Sequence, residues 1–250
     1  MLHSALELLF RYSPYLSTLT LVALSLVPGH SHACMIAIDA GHSKTDGGAT
    51  SARGVAEWTF NATLSRNLAR ALEDKGVAFV MTNPTGDTVS LKDRTETAKR
   101  AGASLFVSLH HNSVQPHYLS RWLHNGRMHS YSDHFKGYGI FVSSENRRFN
   151  ESYAVASAVA DGFLARGLQP TMHHAEPIPG ENRPLLDARR GIYQFDGLYV
   201  LRHARCAAIL IEAGVIVNRE EELELSTPEF QDKVVQSILH AIEGHCKKTD

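Results

Sequence analysis

The chain has 250 residues, of which 43% are hydrophobic and 20% are charged, and its formal net charge at pH 7 is −1. This length and composition are compatible with one α/β domain that buries a sizeable core. Because the net charge is near zero and the basic residues are dispersed, the sequence argues against a nucleic-acid-binding surface.

The N-terminal segment has the pattern of an export signal. Arg11 precedes an apolar run over residues 15–27, and small residues precede a cleavage point after Ala33. The apolar run is shorter than the ~20 residues that a membrane-spanning helix needs, and it lacks the polar face expected of a buried first helix. We therefore predict a signal peptide over 1–33, no membrane span, and an exported mature chain over 34–250 that is periplasmic, extracellular or wall-associated.

Three cysteines gain importance if the chain is exported, because disulfides form in oxidising compartments. Cys206 and Cys246 are predicted either to form a disulfide or to remain two buried free thiols, and the sequence leaves both outcomes open. Cys34 would begin the mature chain, which raises the prospect of a lipid anchor. However, Ser31 stands where a lipidated cysteine usually has an apolar residue, three positions earlier.

From residue 35 onward, strand-like and helix-like segments alternate. Apolar runs predict strands over 35–41, 77–82, 104–109, 138–144 and 207–218. Helical spacing and terminal serine, threonine or glycine residues predict helices over 57–76, 90–102 and 151–167, and a last helix starting at Thr227. Strands that alternate with helices indicate an α/β fold with both faces of the sheet covered. Two segments, 114–137 and 169–190, are predicted to be irregular surface loops.

Several chemically active side chains fall at the ends of predicted elements. His42 follows the first strand, Glu57 begins the first long helix, and His110 and His111 follow the strand over 104–109. Glu212 lies inside an otherwise apolar strand. Two histidines and a glutamate as ligands, with a further glutamate as base, are the components of a catalytic zinc site. Imidazole and carboxylate groups bind this borderline-soft dication and leave it Lewis-acidic.

Each of these residues also has a structural interpretation. His42 would cap a turn, Glu57 would place a favourable charge at a helix N-terminus, and Glu212 would form an ion pair with Arg202 or Arg205. A carboxylate between isoleucine and alanine is costly to bury unless it is paired or serves chemistry. Each structural interpretation is reasonable alone, but the recurrence of such residues at element ends favours a common site.

Four ordered segments carry a family resemblance: IAIDAGH, GVAEWTFN, SLKDRTETAKRAGASLFVSLHHNS and RRGIYQFDGLYVLRHARCAAILIEAGVIVN. From about Met35 to the C-terminal helix, the chain resembles the zinc-dependent N-acetylmuramoyl-L-alanine amidases of the amidase-3 family. The resemblance implies a three-layer α/β/α sandwich around a mostly parallel sheet, as a single domain. It also implies that His42, Glu57 and His110 bind Zn²⁺ and that Glu212 is the catalytic glutamate. The substrate would be peptidoglycan, cut at the amide between N-acetylmuramic acid and L-alanine of the stem peptide.

The chain departs from the family pattern at two places. His111 stands where relatives usually have a small residue, so we predict that it is a neighbour of the site and not a ligand. The segment 114–137 is longer than the family's minimal version, and its aromatic residues either hold the polymeric substrate or belong to a tolerated insertion. No long helix resembles the plug that some relatives place over the zinc, and whether an activator protein is needed is left open.

We expect a monomer without an attached wall-binding domain. Two other functions fit the same residues less well: a catalytically silent peptidoglycan-binding module, and a zinc carboxypeptidase acting on the stem peptide. The retention of Glu212 beside three candidate ligands argues against the silent module, because binding alone does not require a buried carboxylate.

Overall fold

The computed structural model describes residues 34–249, and the predicted signal peptide lies outside these residues. Seven strands form the main sheet, in the order β2-β1-β3-β9-β6-β8-β7. Their bounds are Met35–Ala40 (β1), Ala78–Met81 (β2), Leu105–Asn112 (β3), Gly139–Val142 (β6), Leu185–Asp187 (β7), Ile192–Gln194 (β8) and Ala207–Val215 (β9). Four of the six neighbouring pairs are parallel, while β6 runs antiparallel to β9 and β7 antiparallel to β8.

Helices cover both faces of this sheet. Their bounds are Glu57–Asp74 (α1), Leu91–Arg100 (α2), Phe149–Ala165 (α3), Tyr199–His203 (α4), Glu221–Leu225 (α5) and Pro228–Thr249 (α6). One apolar core joins the sheet to α1, α3 and α6, and a second core joins its other face to α2 and α4. This is the three-layer α/β/α sandwich that the family resemblance implied.

The helix boundaries follow from local capping. The Ser90 hydroxyl accepts the amide of Asp93 at 3.1 Å and begins α2, as the serine signal predicted. Thr227 does the same for α6, since its Oγ1 accepts the amide of Phe230 at 3.2 Å. Gly76 follows α1 with a φ of 67°, the left-handed conformation that ends many helices.

The prediction of an irregular loop over 114–137 is wrong. This segment contains a 3₁₀ turn, Pro116–Tyr118, and a separate antiparallel hairpin of β4 (Ser120–His124) and β5 (Arg127–Tyr131). Asn125 and Gly126 join the two strands with φ angles of 50° and 76°. An Asn-Gly pair favours this two-residue turn because both positions need positive φ.

The segment 169–190 is only partly irregular. It contains a 3₁₀ turn, His173–Ala175, and the short edge strand β7. Strand β8, which follows it, was not predicted. Both strands have only three residues, too few to show the alternation that identifies a strand in a sequence.

The predicted pairing of Cys206 with Cys246 is wrong, and so is its alternative of two free thiols at these positions. Cys34 and Cys246 form the disulfide, with their Cα atoms 5.4 Å apart, while Cys206 is a buried free thiol. Cys34 and Cys246 both pack against the core that contains α6, whereas Cys206 belongs to the core on the opposite face of the sheet. A disulfide at Cys34 leaves no thiol there for a lipid anchor. Among the described residues, no helix combines the length and apolar character needed to cross a membrane.

Candidate metal centre

His42, Glu57 and His110 meet at the carboxyl edge of β1 and β3. His42 Nε2 lies 3.1 Å from Glu57 Oε2, and His110 Nδ1 lies 3.0 Å from Glu57 Oε1. One ligand atom from each residue lies within 4.8 Å of the others. The structure therefore brings together the three residues that the sequence singled out as metal ligands. Two imidazoles and one carboxylate, with the remaining positions open, are a donor set that suits a catalytic zinc ion.

His42 is held in an unusual backbone conformation. Its φ is 65°, in the left-handed region that residues with a side chain rarely adopt. The buried Arg94 of α2 secures this turn by donating to the carbonyl of Ala40 at 2.6 Å and to that of His42 at 2.7 Å. Asn83 donates to the same His42 carbonyl at 3.1 Å. The surroundings thus fix the conformation that directs the His42 ring towards Glu57.

A buried polar network supports the same turn. Asp39 accepts hydrogen bonds from Arg94 at 2.8 Å and from Ser108 at 2.7 Å, and Thr82 also donates to it. This network was not predicted from the sequence. Only the polar Asp39 within the apolar strand β1 signalled it, because a buried carboxylate requires partners.

Two glycines allow the ligands to approach one another. A Cβ on Gly41 would lie 2.2 Å from the His110 ring, and a Cβ on Gly48 would lie 2.5 Å from Glu57 Oε2. Gly48 also has a φ of 72°. Any side chain at these positions would displace a ligand.

Glu57 is 4% exposed and fully hydrogen-bonded. It accepts from Asn61 Nδ2 at 3.0 Å and from the amide of Ala49 at 3.1 Å, in addition to its contacts with the two histidines. Burial alone raises the pKa of Glu57, but its hydrogen bonds to His110 and His42 hold this pKa well below its ordinary value. Glu57 is therefore an anion at neutral pH, as a metal ligand must be.

His110 is the histidine whose protonated, positively charged form this carboxylate stabilises. Burial lowers the pKa of His110, but the hydrogen bond and charge of Glu57 outweigh burial and raise this pKa to about 9. The site thus favours positive charge beside Glu57, carried by a proton or by a metal ion that displaces the proton.

His111 lies on the other face of β3. Its Nδ1 is 2.8 Å from Asn61 Oδ1, and its ring packs against Phe60. Burial lowers the pKa of His111 to about 4, so the ring is neutral. Its amide donates weakly to Glu57 at 3.3 Å, so the contact of His111 with the site is through the backbone.

Glu212 lies on β9 directly opposite His110 in the strand register. Its Oε2 is buried and has no hydrogen-bond partner among the described residues. Within residues 34–249, Glu212 forms no ion pair with Arg202 or Arg205. Arg202 instead approaches Glu145 at 3.7 Å. Burial raises the pKa of Glu212 to about 8, close to the value that suits an acid or base working at neutral pH.

A cavity of about 360 Å³ opens beside the cluster. Its walls include His42, His110 and Arg94 on one side and Tyr199 of α4 on the other. A larger cavity of about 640 Å³, between α3 and α6, contains none of the cluster residues. The smaller cavity is therefore the space where a substrate group would meet the cluster.

Fold and site together present a candidate metal centre at the edge of an α/β sheet. Residues 36–244 match the family model described as N-acetylmuramoyl-L-alanine amidase (Amidase_3). The chain belongs to this family, and it is accordingly a peptidoglycan amidase.

Three relatives illustrate the similarity. The N-acetylmuramoyl-L-alanine amidase AmiA of Salmonella typhimurium is 23% identical over 217 residues, covering 83% of this chain and 74% of the relative. The structure of the amidase AmiC2 of Nostoc punctiforme is 26% identical with a TM-score of 0.63, covering 86% of this chain and 97% of that one. The catalytic domain of CwlV from Bacillus (Paenibacillus) polymyxa var. colistinus is 25% identical with a TM-score of 0.65, covering 86% and 98%.

Proposed function

We propose that His42, Glu57 and His110 bind a catalytic Zn²⁺ ion and that Glu212 is the general base and acid of the amidase reaction. The ligand assignment is supported by a donor set of two partly exposed imidazoles and one buried carboxylate, whose ligand atoms lie within 4.8 Å of one another. The observation that carries the proposal is the position of Glu212, beside His110 in the register and with a buried oxygen that lacks a partner.

The scissile bond is the amide between N-acetylmuramic acid and L-alanine of the stem peptide. When bound, zinc lowers the pKa of water towards about 7 and polarises a carbonyl oxygen. Glu212 accepts the proton of the attacking water and delivers it to the nitrogen of the leaving L-alanine. One carboxyl group performs both transfers because its buried oxygen has no other partner among the described residues and its raised pKa lets it hold the proton between them.

We also propose that the mature protein is exported and acts as a monomer in the periplasm or at the cell wall. The disulfide between Cys34 and Cys246 supports export, because such bonds persist in oxidising compartments. The cleavage point after Ala33 would free the chain immediately before the first of these cysteines. N-terminal sequencing of secreted protein, with molar mass from light scattering, tests the cleavage point and the monomer.

The reaction is tested by digesting purified peptidoglycan and identifying the products by mass spectrometry. Glu212→Gln should retain its metal and fold but lose turnover by at least the ~100-fold typical of a missing general base. Glu229→Gln is the matched control, because Glu229 lies on the surface of α6 with its side chain 80% exposed.

The products separate the rival functions. Free stem peptides beginning with L-alanine, together with intact glycan, are the expected products. Release of single amino acids from the stem peptide would identify a carboxypeptidase, and binding without products would identify a silent module. Near-normal turnover by metal-loaded Glu212→Gln would refute the role of this glutamate.

A further inference from the structure

A second cluster of ligand-type side chains lies in the segment 169–190. His173 and His174 belong to the 3₁₀ turn and are 1% and 8% exposed, and Glu181 follows seven residues after His174. One potential ligand atom from each of the three lies within 4.8 Å of the others. The donor set, two imidazoles and one carboxylate, is the same as that of the first cluster.

The spacing within this cluster resembles that of the first. His174 Nδ1 lies 2.9 Å from Glu181 Oε2, compared with 3.0 Å between His110 and Glu57. Ligands around a tetrahedral zinc ion, with bonds of about 2.1 Å, are separated by about 3.4 Å. Small side-chain shifts would therefore let the second cluster close around an ion. The first cluster needs shifts of the same size.

Outer hydrogen bonds orient these side chains. His173 Nδ1 bonds with Thr171 Oγ1 at 2.7 Å, and Gln115 donates to Glu181 Oε1 at 2.8 Å. Metal-binding histidines and carboxylates characteristically have such outer partners, which fix the ring orientation and leave the other atom for the ion.

The remaining ring nitrogens converge on one carboxamide. Asn112 Nδ2 lies 3.3 Å from His173 Nε2 and also contacts His174 Nε2. Rotation of this carboxamide by a half-turn would place Oδ1 where it accepts from the Nε2–H of His174, which leaves His174 Nδ1 to bind the ion beside Glu181. The contact joins the cluster to β3, two residues beyond His110.

The cluster lies near Glu212 but does not share a ligand with the first cluster. Gly139 of β6 is the register partner of Glu212, and a Cβ on Gly139 would lie 3.5 Å from the His174 ring. An ion in the second cluster would therefore place positive charge on the side of Glu212 opposite His110.

We propose that His173, His174 and Glu181 bind a second divalent transition-metal ion, separate from the ion held by His42, Glu57 and His110. Imidazole and carboxylate ligands suit zinc and chemically similar ions. The ion would cross-link the proline-rich segment 169–190 internally, and Asn112 connects this segment to β3. The proposal does not depend on the reaction, because it concerns the number of ions bound and not the bond that is cut.

The test is a zinc titration of chelator-treated protein, followed by measurement of zinc per chain at micromolar free zinc. Two equivalents are expected in the wild type. His173→Ala and Glu181→Gln should each bind one equivalent, and so should His110→Ala, while the combination of His110→Ala with His173→Ala should bind none. His240→Ala, on the exposed side of α6, is the matched histidine control and should bind two.

A single equivalent in the wild type would overturn the proposal, whether or not the variants fold. If the single ion is lost in His110→Ala and kept in His173→Ala, it belongs to the first cluster, and the second cluster binds none. The histidine pair would then serve only as hydrogen-bond acceptors for Asn112. A wild-type protein that binds two ions but does not hydrolyse peptidoglycan would contradict the proposed reaction but not the second site.

Discussion

His110 and His111 are adjacent in sequence, yet they occupy different environments because successive side chains of a strand point to opposite faces. His110 lies on the same face of the sheet as its register partner Glu212 of β9, whereas His111 points to Asn61 and Phe60 of α1. The alternation of the strand therefore decides which histidine reaches the proposed metal ion.

This difference predicts the metal content of two variants. His110→Ala should lose the ion held with His42 and Glu57, because two ligands remain. His111→Ala should retain it, with a lower melting temperature since Asn61 loses a buried partner. Zinc analysis and thermal melting of both proteins check this expectation. If His111→Ala loses the ion and His110→Ala keeps it, the assignment of the ligands is reversed.

At the residue scale, the sequence singled out the candidate site residues that the structure brings together, but not the side chains that position them. His42, His110 and Glu212 stand out because they follow or interrupt apolar strands, and Glu57 stands out because it begins a long helix. Arg94 does not stand out, since an arginine within a polar helix such as α2 usually faces solvent. Only the fold shows that its guanidinium is buried against the carbonyls of the turn before His42.

At the scale of elements, the long strands and helices were predictable, because their apolar spacing extends over enough residues to be distinctive. The hairpin of β4 and β5 had a signal, the pair Asn125-Gly126, that the abundance of histidine and serine around it obscured. The sequence contained no signal for the antiparallel direction of β6, since strand direction depends on how the chain returns to the sheet.

The hairpin is anchored next to the ligand-bearing segments. Trp122 Nε1 donates to the carbonyl of Ala52 at 2.8 Å, and the guanidinium groups of Arg53 and Arg219 lie within 5.4 Å of its ring centre. Trp122 thus holds the hairpin to the body of the protein. The exposed apolar residues of the hairpin are Leu123 and Met128. They are 67% and 51% exposed and face each other across the two strands.

We expect this exposed pair to contact polymeric peptidoglycan. Substitution of both Leu123 and Met128 by serine should leave the melting temperature and zinc content unchanged and lower the hydrolysis of intact sacculi several-fold more than that of a small muramyl peptide. Turbidity loss of sacculi and chromatography of the small substrate provide the two rates.

Leu223→Ser on α5 is the matched control for this test, because Leu223 is 54% exposed. Its two rates should equal those of the wild type. An equal decrease on both substrates in the hairpin variant, or no decrease on either, would show that the hairpin is a tolerated insertion.

At the scale of the whole molecule, the sequence indicated export and left open a bridge or two free thiols at Cys206 and Cys246, whereas the disulfide joins Cys34 to Cys246. Cys206 precedes β9 and Cys34 precedes β1, and these two parallel strands begin at the same edge of the sheet. The choice between them depends on the face of the sheet covered by α6, which the sequence does not reveal.

The disulfide should contribute strongly to stability. Its cysteines are 212 residues apart, and for a loop of this length the chain-entropy relation gives an upper value of about 5 kcal/mol. Reduction, or the double substitution of Cys34 and Cys246 by serine, should lower the melting temperature. Cys206→Ala, which leaves the bridge intact, is the control. Peptide mapping without reductant that links Cys206 to either of the other cysteines would contradict the observed pairing.

The same bridge makes the folded polypeptide a closed covalent ring from residue 34 to residue 246, which passes through every strand of the sheet. One protease cut in a surface loop, such as 176–184, would open the ring without releasing a fragment, so the enzyme should migrate as one species until it is reduced. Circular permutation should also be tolerated, since the disulfide already joins positions 34 and 246 and new ends at that loop would leave the ring's order of elements unchanged.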